Sequence, residues 1–251
     1  MTRIIMSGCN GAMGTTITKI VSEDAEAEIV AGIDIVDDGS KEYPVFSSIK
    51  DCDVEADAVI DFSTPKILDD LLAYCEEKKV PVVLCTTGYD EAQLAKIEEA
   101  SKKTAVLKSA NMSLGINTLM RLVQEAAKVL AAEGFDVEIV EQHHNQKLDA
   151  PSGTALALAD AVNEAMDNRY EYIFDRSGRR EKRGKKELGI SAVRGGTIVG
   201  DHDVIFAGTD EVVTFSHTAY SKAVFGKGAV AAAKFLNGKE SGRFDMADVI
   251  G

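Results

Sequence analysis

No run of apolar residues in this 251-residue chain approaches the ~20 needed to cross a membrane as a helix. The first residues, Met-Thr-Arg-Ile-Ile-Met-Ser-Gly, enter a strand pattern at once. A secretory leader is therefore not expected, and the cytoplasm is the expected compartment. Cysteine is scarce: Cys9, Cys52, Cys75 and Cys85 show neither CxxC nor framework spacing, so no disulfides are expected. All but Cys52 fall in the apolar contexts of buried free thiols. Basic residues are outnumbered, 28 Lys and Arg against 41 Asp and Glu, and the net charge of −13 excludes nucleic acid as a general partner. One local excess, seven basic residues and Glu181 within 176–186, reads as a solvated hairpin or a contact with another subunit. There is no internal repeat and no low-complexity linker. With 45% hydrophobic residues the chain has enough apolar matter for one large or two smaller domains.

Chemistry is densest in Glu141-Gln-His-His-Asn-Gln-Lys-Leu-Asp-Ala-Pro-Ser-Gly-Thr154, which holds two of the four histidines. Alternating apolar residues at 135–140 predict a strand before it, and 155–162 predict a helix after it. A strand-to-helix connection of this kind brings imidazoles, an ammonium and the unpaired N–H groups of a helix start to one place, which suits an anion. Ser152 or Asp149 is the expected cap, Pro151 suits the first turn, and Gly153 permits close approach of a ligand to the backbone. His143 and Lys147 are candidate proton donors, since histidine titrates near neutrality and a desolvated lysine moves towards it. The same residues also fit an ordinary loop whose histidines satisfy backbone carbonyls. No metal site is expected: His143 and His144 are adjacent rather than one helical turn apart, with no cysteine or third histidine near.

Taken in order, the chain alternates. Strands are predicted at 3–6, 27–34, 58–63, 81–85 and 105–109, and helices at 15–21, 65–79, 91–102 and 117–132. This alternation predicts an α/β fold, a Rossmann-like doubly wound parallel sheet with ligands at the carboxyl ends of its strands. Residues 61–64 and 86–88 are then expected to face a dinucleotide. Gly8, Gly11 and Gly14 follow the first strand with spacing G-x-x-G-x-x-G, and Asn10 stands where a second glycine of the dinucleotide fingerprint belongs, tolerating left-handed geometry. Asp34 lies 20 residues after Gly14 at the end of the second strand, where such folds hold the adenosine ribose. No arginine follows Asp34, which disfavours a ribose 2′-phosphate. Strands predicted at 189–194, 198–206 and 211–218 form an open mixed or antiparallel sheet in a second α+β domain. A helix at 222–236 returns to the first. The expected division is 1–112 with 221–251 for dinucleotide, and 113–220 for substrate and oligomerisation.

The segment Glu-x-His-His-x-x-Lys-x-Asp-Ala-Pro-Ser-Gly-Thr-Ala resembles the signature of the dihydrodipicolinate (4-hydroxy-tetrahydrodipicolinate) reductase family. The likeness runs on through Gly8 to Gly14, 61–65, 86–88, 110–113, 194–202 and 225–229. It implies NAD(P)H-dependent reduction of 4-hydroxy-tetrahydrodipicolinate to tetrahydrodipicolinate in lysine (diaminopimelate) biosynthesis, by a homotetramer built through the second domain's sheet. It implies that His143 stabilises the transition state or acts as acid, that Lys147 donates a proton, and that His144, Ser152, Gly153, Thr154 and Thr87 hold a small dicarboxylate. Cofactor contacts are implied for Gly8, Cys9, Asn10, Gly11, Ala12, Met13, Asp34, Cys85, Thr86, Thr87, Ser109, Ala110, Asn111 and Met112. Cys85, Met112 and Lys222 stand where the family usually has glycine, an aromatic and arginine. NADH is expected to serve at least as well as NADPH. His202 and His217 are read as satisfied structural histidines. Another two-domain dehydrogenase, or a nucleotide-sensing regulator without turnover, are the other readings open at this stage.

Overall fold

The computed structural model describes residues 1–251. Its strands are β1 (Thr2–Ser7), β2 (Ala27–Ile33), β3 (Val45–Phe46), β4 (Ala58–Asp61), β5 (Val82–Leu84), β6 (Ala105–Leu107), β7 (Asp136–His143), β8 (Glu171–Ile173), β9 (Glu187–Arg194), β10 (Gly200–Ala207), β11 (Val212–Ala219) and β12 (Gly242–Phe244). Its helices are α1 (Ala12–Ser22), α2 (Leu68–Lys78), α3 (Glu91–Ser101), α4 (Leu114–Ala126), α5 (Gly153–Ala165), α6 (Ala223–Leu236) and α7 (Met246–Ile250). The chain divides into two compact units, Met1–Leu114 with Ala223–Gly251, and Gly115–Lys222.

The first unit is built on a seven-stranded sheet, β12-β6-β5-β4-β1-β2-β3, in which every pairing is parallel. Side chains alternate between faces along a strand, and here both faces are apolar. Ile4, Met6, Ile60, Val83 and Leu107 pack into one layer with Ile17 of α1 and Ala229, Val230 and Ala233 of α6. Ile5, Val59, Val82, Leu84 and Val106 pack into the other with Leu71 and Leu72 of α2 and Ile97 of α3. The doubly wound sheet predicted from the sequence is thus present. The short strands β3 and β12 were not foreseen, and residues 65–67 form a 3₁₀ turn ahead of α2 rather than its first turn. All four cysteines are free, and Cys52, set apart in the sequence reading, is buried like Cys9 and Cys75.

The second unit carries the expected mixed sheet, ordered β11-β10-β7-β9-β8. β10 runs antiparallel to both β7 and β11, whereas β7, β9 and β8 are parallel. One face is apolar: Val137, Ile139, Leu188, Ile190, Val204 and Phe206 pack under Leu119 and Val123 of α4 and Leu158 and Val162 of α5. α4 ends in a π-helical turn, Ala127–Ala131. The basic stretch 176–186 is not a hairpin, because it joins the parallel strands β8 and β9. Three of its arginines are paired, Arg176 and Arg179 with Glu187, and Arg183 with Asp136 and Glu138.

Candidate active site

In the first unit, parallel pairing brings the carboxyl ends of β1, β2, β4 and β5 to one edge of the sheet. The chain leaves β1 through Gly8 at φ +79°, where a Cβ would stand 2.4 Å from the Phe62 carbonyl oxygen. A Cβ on Gly14 would stand 2.2 Å from the Gly8 carbonyl oxygen. Glycine is therefore required at both positions for the loop to turn this tightly. Gly11 is the N-cap of α1, with no side-chain cap and no acid in the first turn, so the helix start offers its N–H groups to an anion. Asn10 departs from expectation: its φ is not positive, and it serves as a latch instead. Its backbone N–H donates to Asp34 Oδ2 at 2.9 Å and its side-chain amide to the Val36 carbonyl at 2.5 Å. Asp34 Oδ1 accepts from the Ile35 N–H at 2.9 Å, leaving each carboxylate oxygen a further lone pair.

Asp61 was expected at the dinucleotide face, but its carboxyl is wholly buried at the end of β4. Ser7 and Ser63 hydroxyls donate to Oδ1 at 2.8 and 2.5 Å, and Thr86 donates to Oδ2 at 2.6 Å. Tyr89 reaches Oδ2 at 3.5 Å. Burial pushes the Asp61 carboxyl above its ordinary range, and the four hydroxyls only partly offset this. Thr86 also accepts from the Ser63 N–H at 2.9 Å, so its hydroxyl is committed inside the unit, and the backbone of 85–88 and the exposed Thr87 side chain are left for a ligand. Two further residues assigned to the cofactor turn inward as well. The Cys9 thiol lies against Gly32, whose added Cβ would meet Sγ at 2.7 Å, and Met112 is buried in the core layer beside α6. Any contact they make with a ligand is through the main chain. Ser109 and Asn111 are half-buried and Ala110 exposed, with Asn111 Oδ1 accepting from the Ser113 N–H at 2.8 Å.

In the second unit, β7 runs three residues further than predicted, through His143. Residues two apart on a strand share a face. Glu141 and His143 therefore continue the buried row begun by Val137 and Ile139, and they place polar groups where two more core residues belong. Burial alone would raise the Glu141 carboxyl, but hydrogen bonds outweigh it and hold the group below the usual carboxylate range. Arg194 donates from both terminal nitrogens, to Oε1 at 2.6 Å and Oε2 at 2.7 Å. His143 Nδ1 lies 2.6 Å from Oε2, and the Ser152 N–H donates to Oε1 at 2.9 Å. Register explains the convergence, since Arg194 on β9 is the neighbour of His143, and His202 on β10 the neighbour of Glu141.

Ser152, not Asp149, caps α5: its hydroxyl accepts from the Ala155 N–H at 3.1 Å and lies 3.0 Å from His202 Nε2. Pro151 precedes the cap, after a cis bond from Ala150, and so is not in the first turn. His202 is not the satisfied histidine expected. Its Nδ1 is buried without a hydrogen bond, as is Nδ1 of His217, and its ring meets that of His143 edge-on at 5.1 Å. Burial first, then the neighbouring His143, pushes His202 down to about 4, so it is neutral in the fold. His144 is half-buried beyond the strand end, and Gly153 is exposed at the start of α5. The Lys147 ammonium lies 2.8 Å from Asp149 Oδ1 and holds that carboxyl low, with the Gly153 N–H assisting.

Sequence reasoning brought His143, His144, Lys147 and the 152–154 turn to one loop, but it did not assign Glu141, Arg194 or His202. The signal for Glu141 was the i, i+2 spacing to His143 on a strand. Arg194 and His202 came from partner strands whose register no sequence pattern states.

Comparison with known proteins matches the whole chain. Residues 2–112 fit the family model for the N-terminus of dihydrodipicolinate reductase, and 115–250 that for its C-terminus. The chain is 52% identical over 250 residues to the 4-hydroxy-tetrahydrodipicolinate reductase of Caldanaerobacter subterraneus subsp. tengcongensis, covering 100% of this chain and 98% of that one. It is 51% identical over 246 residues to the protein of the same name in Clostridium tetani, covering 98% and 96%. The solved structure of dipicolinate-bound dihydrodipicolinate reductase from Paenisporosarcina sp. TG-14 superimposes with a TM-score of 0.83 at 25% identity, over 100% of both chains. On this full-length agreement of sequence and fold, the chain belongs to the dihydrodipicolinate reductase family.

Proposed function

We propose that this protein is the NAD(P)H-dependent oxidoreductase that converts 4-hydroxy-tetrahydrodipicolinate to tetrahydrodipicolinate in lysine (diaminopimelate) biosynthesis. The observation that carries this is the full-length match to reductases of that name at up to 52% identity, in a chain that keeps the His143, His144 and Lys147 cluster. The conversion adds a hydride and a proton and releases the 4-hydroxyl as water. Bound nicotinamide cofactor supplies the hydride.

The first unit fits that cofactor: the turn leaves no room for a Cβ at Gly8 or Gly14, α1 opens without a side-chain cap, and Asp34 retains acceptor capacity. Gly8, Gly11, Ala12 and Met13 would hold the pyrophosphate, Asp34 the ribose, and the main chain of 85–87 and 109–112 the remainder. In the second unit, Lys147 and His143 supply the proton and the stabilising positive charge. His143 has the apter geometry, since Nε2 makes no hydrogen bond within the chain while Nδ1 is held by Glu141. Gly153, Thr154 and His144 hold a substrate carboxylate, with Ser152 fixing the helix start. Asp149 illustrates the preference, because its own carboxylate is taken up by Lys147 and the Gly153 N–H.

NADH serves at least as well as NADPH in this reading. Asp34 would repel a 2′-phosphate and the next side chain, Ile35, is 88% exposed and uncharged. The protein assembles as a homotetramer through the β11-β10-β7-β9-β8 sheet. Opposite its helix-covered face, Ser191, Val193, Val212, Thr214 and Ser216 are exposed, a surface suited to a second copy. Light scattering on the purified protein tests the assembly, and a protomer mass in solution overturns it. No helix is long and apolar enough to cross a membrane, and the cytoplasm is the proposed compartment. The test of function is turnover: the product of the preceding aldol-type synthase, supplied with NADH or NADPH, is consumed with oxidation of the cofactor. Cofactor binding without turnover would favour a sensor instead.

A further inference from the structure

Gly200, His202, Val204 and Phe206 are alternate residues of β10 and form its buried face. Val204 and Phe206 fill the apolar layer beneath α4 and α5, whereas Gly200 and His202 come at the end of that row. Register sets His202 opposite Glu141 on β7, and residues two apart on a strand share a face, so His143 lies on this face too. A Cβ on Gly200 would stand 2.9 Å from His143 Nε2, so glycine there lets the imidazole lie against β10. On the same strand the His202 ring meets it edge-on, with centroids 5.1 Å apart.

His202 is 4% exposed, and its two nitrogens differ. Nε2 lies 3.0 Å from the Oγ of Ser152, the cap that also accepts from the Ala155 N–H at 3.1 Å. Nδ1 is buried without a hydrogen bond, as is Nδ1 of His217, directly opposite on β11. A buried polar atom left unpaired destabilises a fold. An aromatic ring without nitrogens would fill the place with no such penalty, so what histidine adds here is the contact at Nε2. Burial keeps the ring neutral, and it brings no charge to the site. Glu141 makes a parallel link: Oε1 accepts from the Ser152 N–H at 2.9 Å, and Oε2 lies 2.6 Å from His143 Nδ1. Two buried residues of the sheet, Glu141 and His202, thus each touch both the imidazole and the helix cap.

We propose that His202 is a positioning residue for the reduction, setting the separation between the His143 imidazole and the helix start at Gly153 and Thr154. Its Nε2 holds Ser152, and with it the backbone of the turn, while its ring edge supports the imidazole. The proposal rests on the reading of His143 as an acid group and of residues 153–154 as the carboxylate site. A side chain that merely filled the core would change stability and leave kcat and KM alone. A positioning one separates the two constants according to which of its contacts is kept.

The experiment compares variants of the full-length protein by steady-state kinetics, calorimetric titration with pyridine-2,6-dicarboxylate and thermal unfolding. His202→Phe keeps an aromatic ring against His143 and gives up Nε2. Substrate KM and the dissociation constant of the dicarboxylate should rise about ten-fold, the scale of one buried hydrogen bond, with kcat within about two-fold of wild type. The melting temperature should hold, because the unpaired Nδ1 is removed as well. His202→Gln can reach Ser152 with its amide and gives up the ring. KM and the dicarboxylate affinity should stay near wild type while kcat falls by roughly ten- to hundred-fold, the cost of a misplaced reacting group. Gly200→Ala, allowed by a φ that is not positive, presses on the imidazole without touching Ser152 and should resemble His202→Gln. Unchanged kinetic constants in all three variants, or KM and kcat moving together in both His202 variants, overturn the proposal. If His202→Phe does not fold, the other two still decide it, since an unchanged kcat in both contradicts the claim. Absence of turnover in the wild type overturns the functional reading instead, and the dicarboxylate affinities then decide: weaker binding in His202→Phe than in His202→Gln supports the link through Ser152, and equal binding overturns it.

Discussion

Glu141 and Arg194, 53 residues apart in sequence, meet through two charge-assisted hydrogen bonds of 2.6 and 2.7 Å around a carboxylate with no solvent exposure. Losing one partner of such a pair strands the other. Glu141→Ala should therefore destabilise the protein by about 3 kcal/mol, the low end of the range for broken buried pairs, because Arg194 keeps partial access to water. Glu141→Gln, which retains acceptor and volume, should cost less. Denaturant titration of both variants checks this, and equal losses would show that the charge contributes nothing.

A second prediction concerns pH. His202 is lowered from 6.5 to about 4 in the fold, so between those values the unfolded chain binds more protons than the native one. By linkage, its contribution to stability is fully present above about pH 6.5 and is lost as pH falls through about 4, a change of up to about 3 kcal/mol. His202→Gln should flatten that part of the profile. Unfolding midpoints across roughly pH 4 to 7, the window those two values span, test it; identical slopes in the two proteins would contradict the assignment.

Asp61 gives a third. Replacing it by Ala leaves the hydroxyls of Ser7, Ser63 and Thr86 without their acceptor and should cost about 1–3 kcal/mol or more. Asp61→Asn keeps an acceptor and removes a charge that burial already disfavours, so near neutral pH it should be milder than Asp61→Ala. The ordering of the two melting temperatures is the measurement.

The sheet was legible in the sequence because Ile4-Ile5-Met6 and its counterparts are apolar on both faces, which only a strand covered by two helical layers requires. The strands β3, β8 and β12 were not, since pieces of two or three residues are defined by the neighbour they pair with rather than by their own pattern. At the site, residues adjacent in sequence were found and residues adjacent only in space were missed. Asp61 shows the opposite error: it was placed by its position at a strand end, but a side chain there can turn inward when hydroxyls from β1 and from residues 63 and 86 converge on it.

The acid assignments carry a kinetic prediction. His143→Ala and Lys147→Ala should each lower kcat by roughly 10²–10⁴-fold, the scale of general acid–base groups. Cofactor affinity should barely change, because both residues lie in the second unit. Near wild-type kcat in both variants would remove them from the mechanism.

Cofactor choice is tested by Ile35→Arg. A guanidinium at this exposed position can pair with a 2′-phosphate, so kcat/KM for NADPH should rise relative to NADH. A wild type that strongly prefers NADPH, and a variant that does not differ from it, would show that Asp34 does not face the ribose.

The most direct measurement is the steady-state rate of the purified protein on freshly generated 4-hydroxy-tetrahydrodipicolinate, with each nicotinamide cofactor and with pyridine-2,6-dicarboxylate as inhibitor. The account predicts substrate-dependent oxidation of NADH at least as efficient as that of NADPH, with inhibition competitive against the substrate. Absence of turnover with either cofactor, under conditions where cofactor binds, would contradict it.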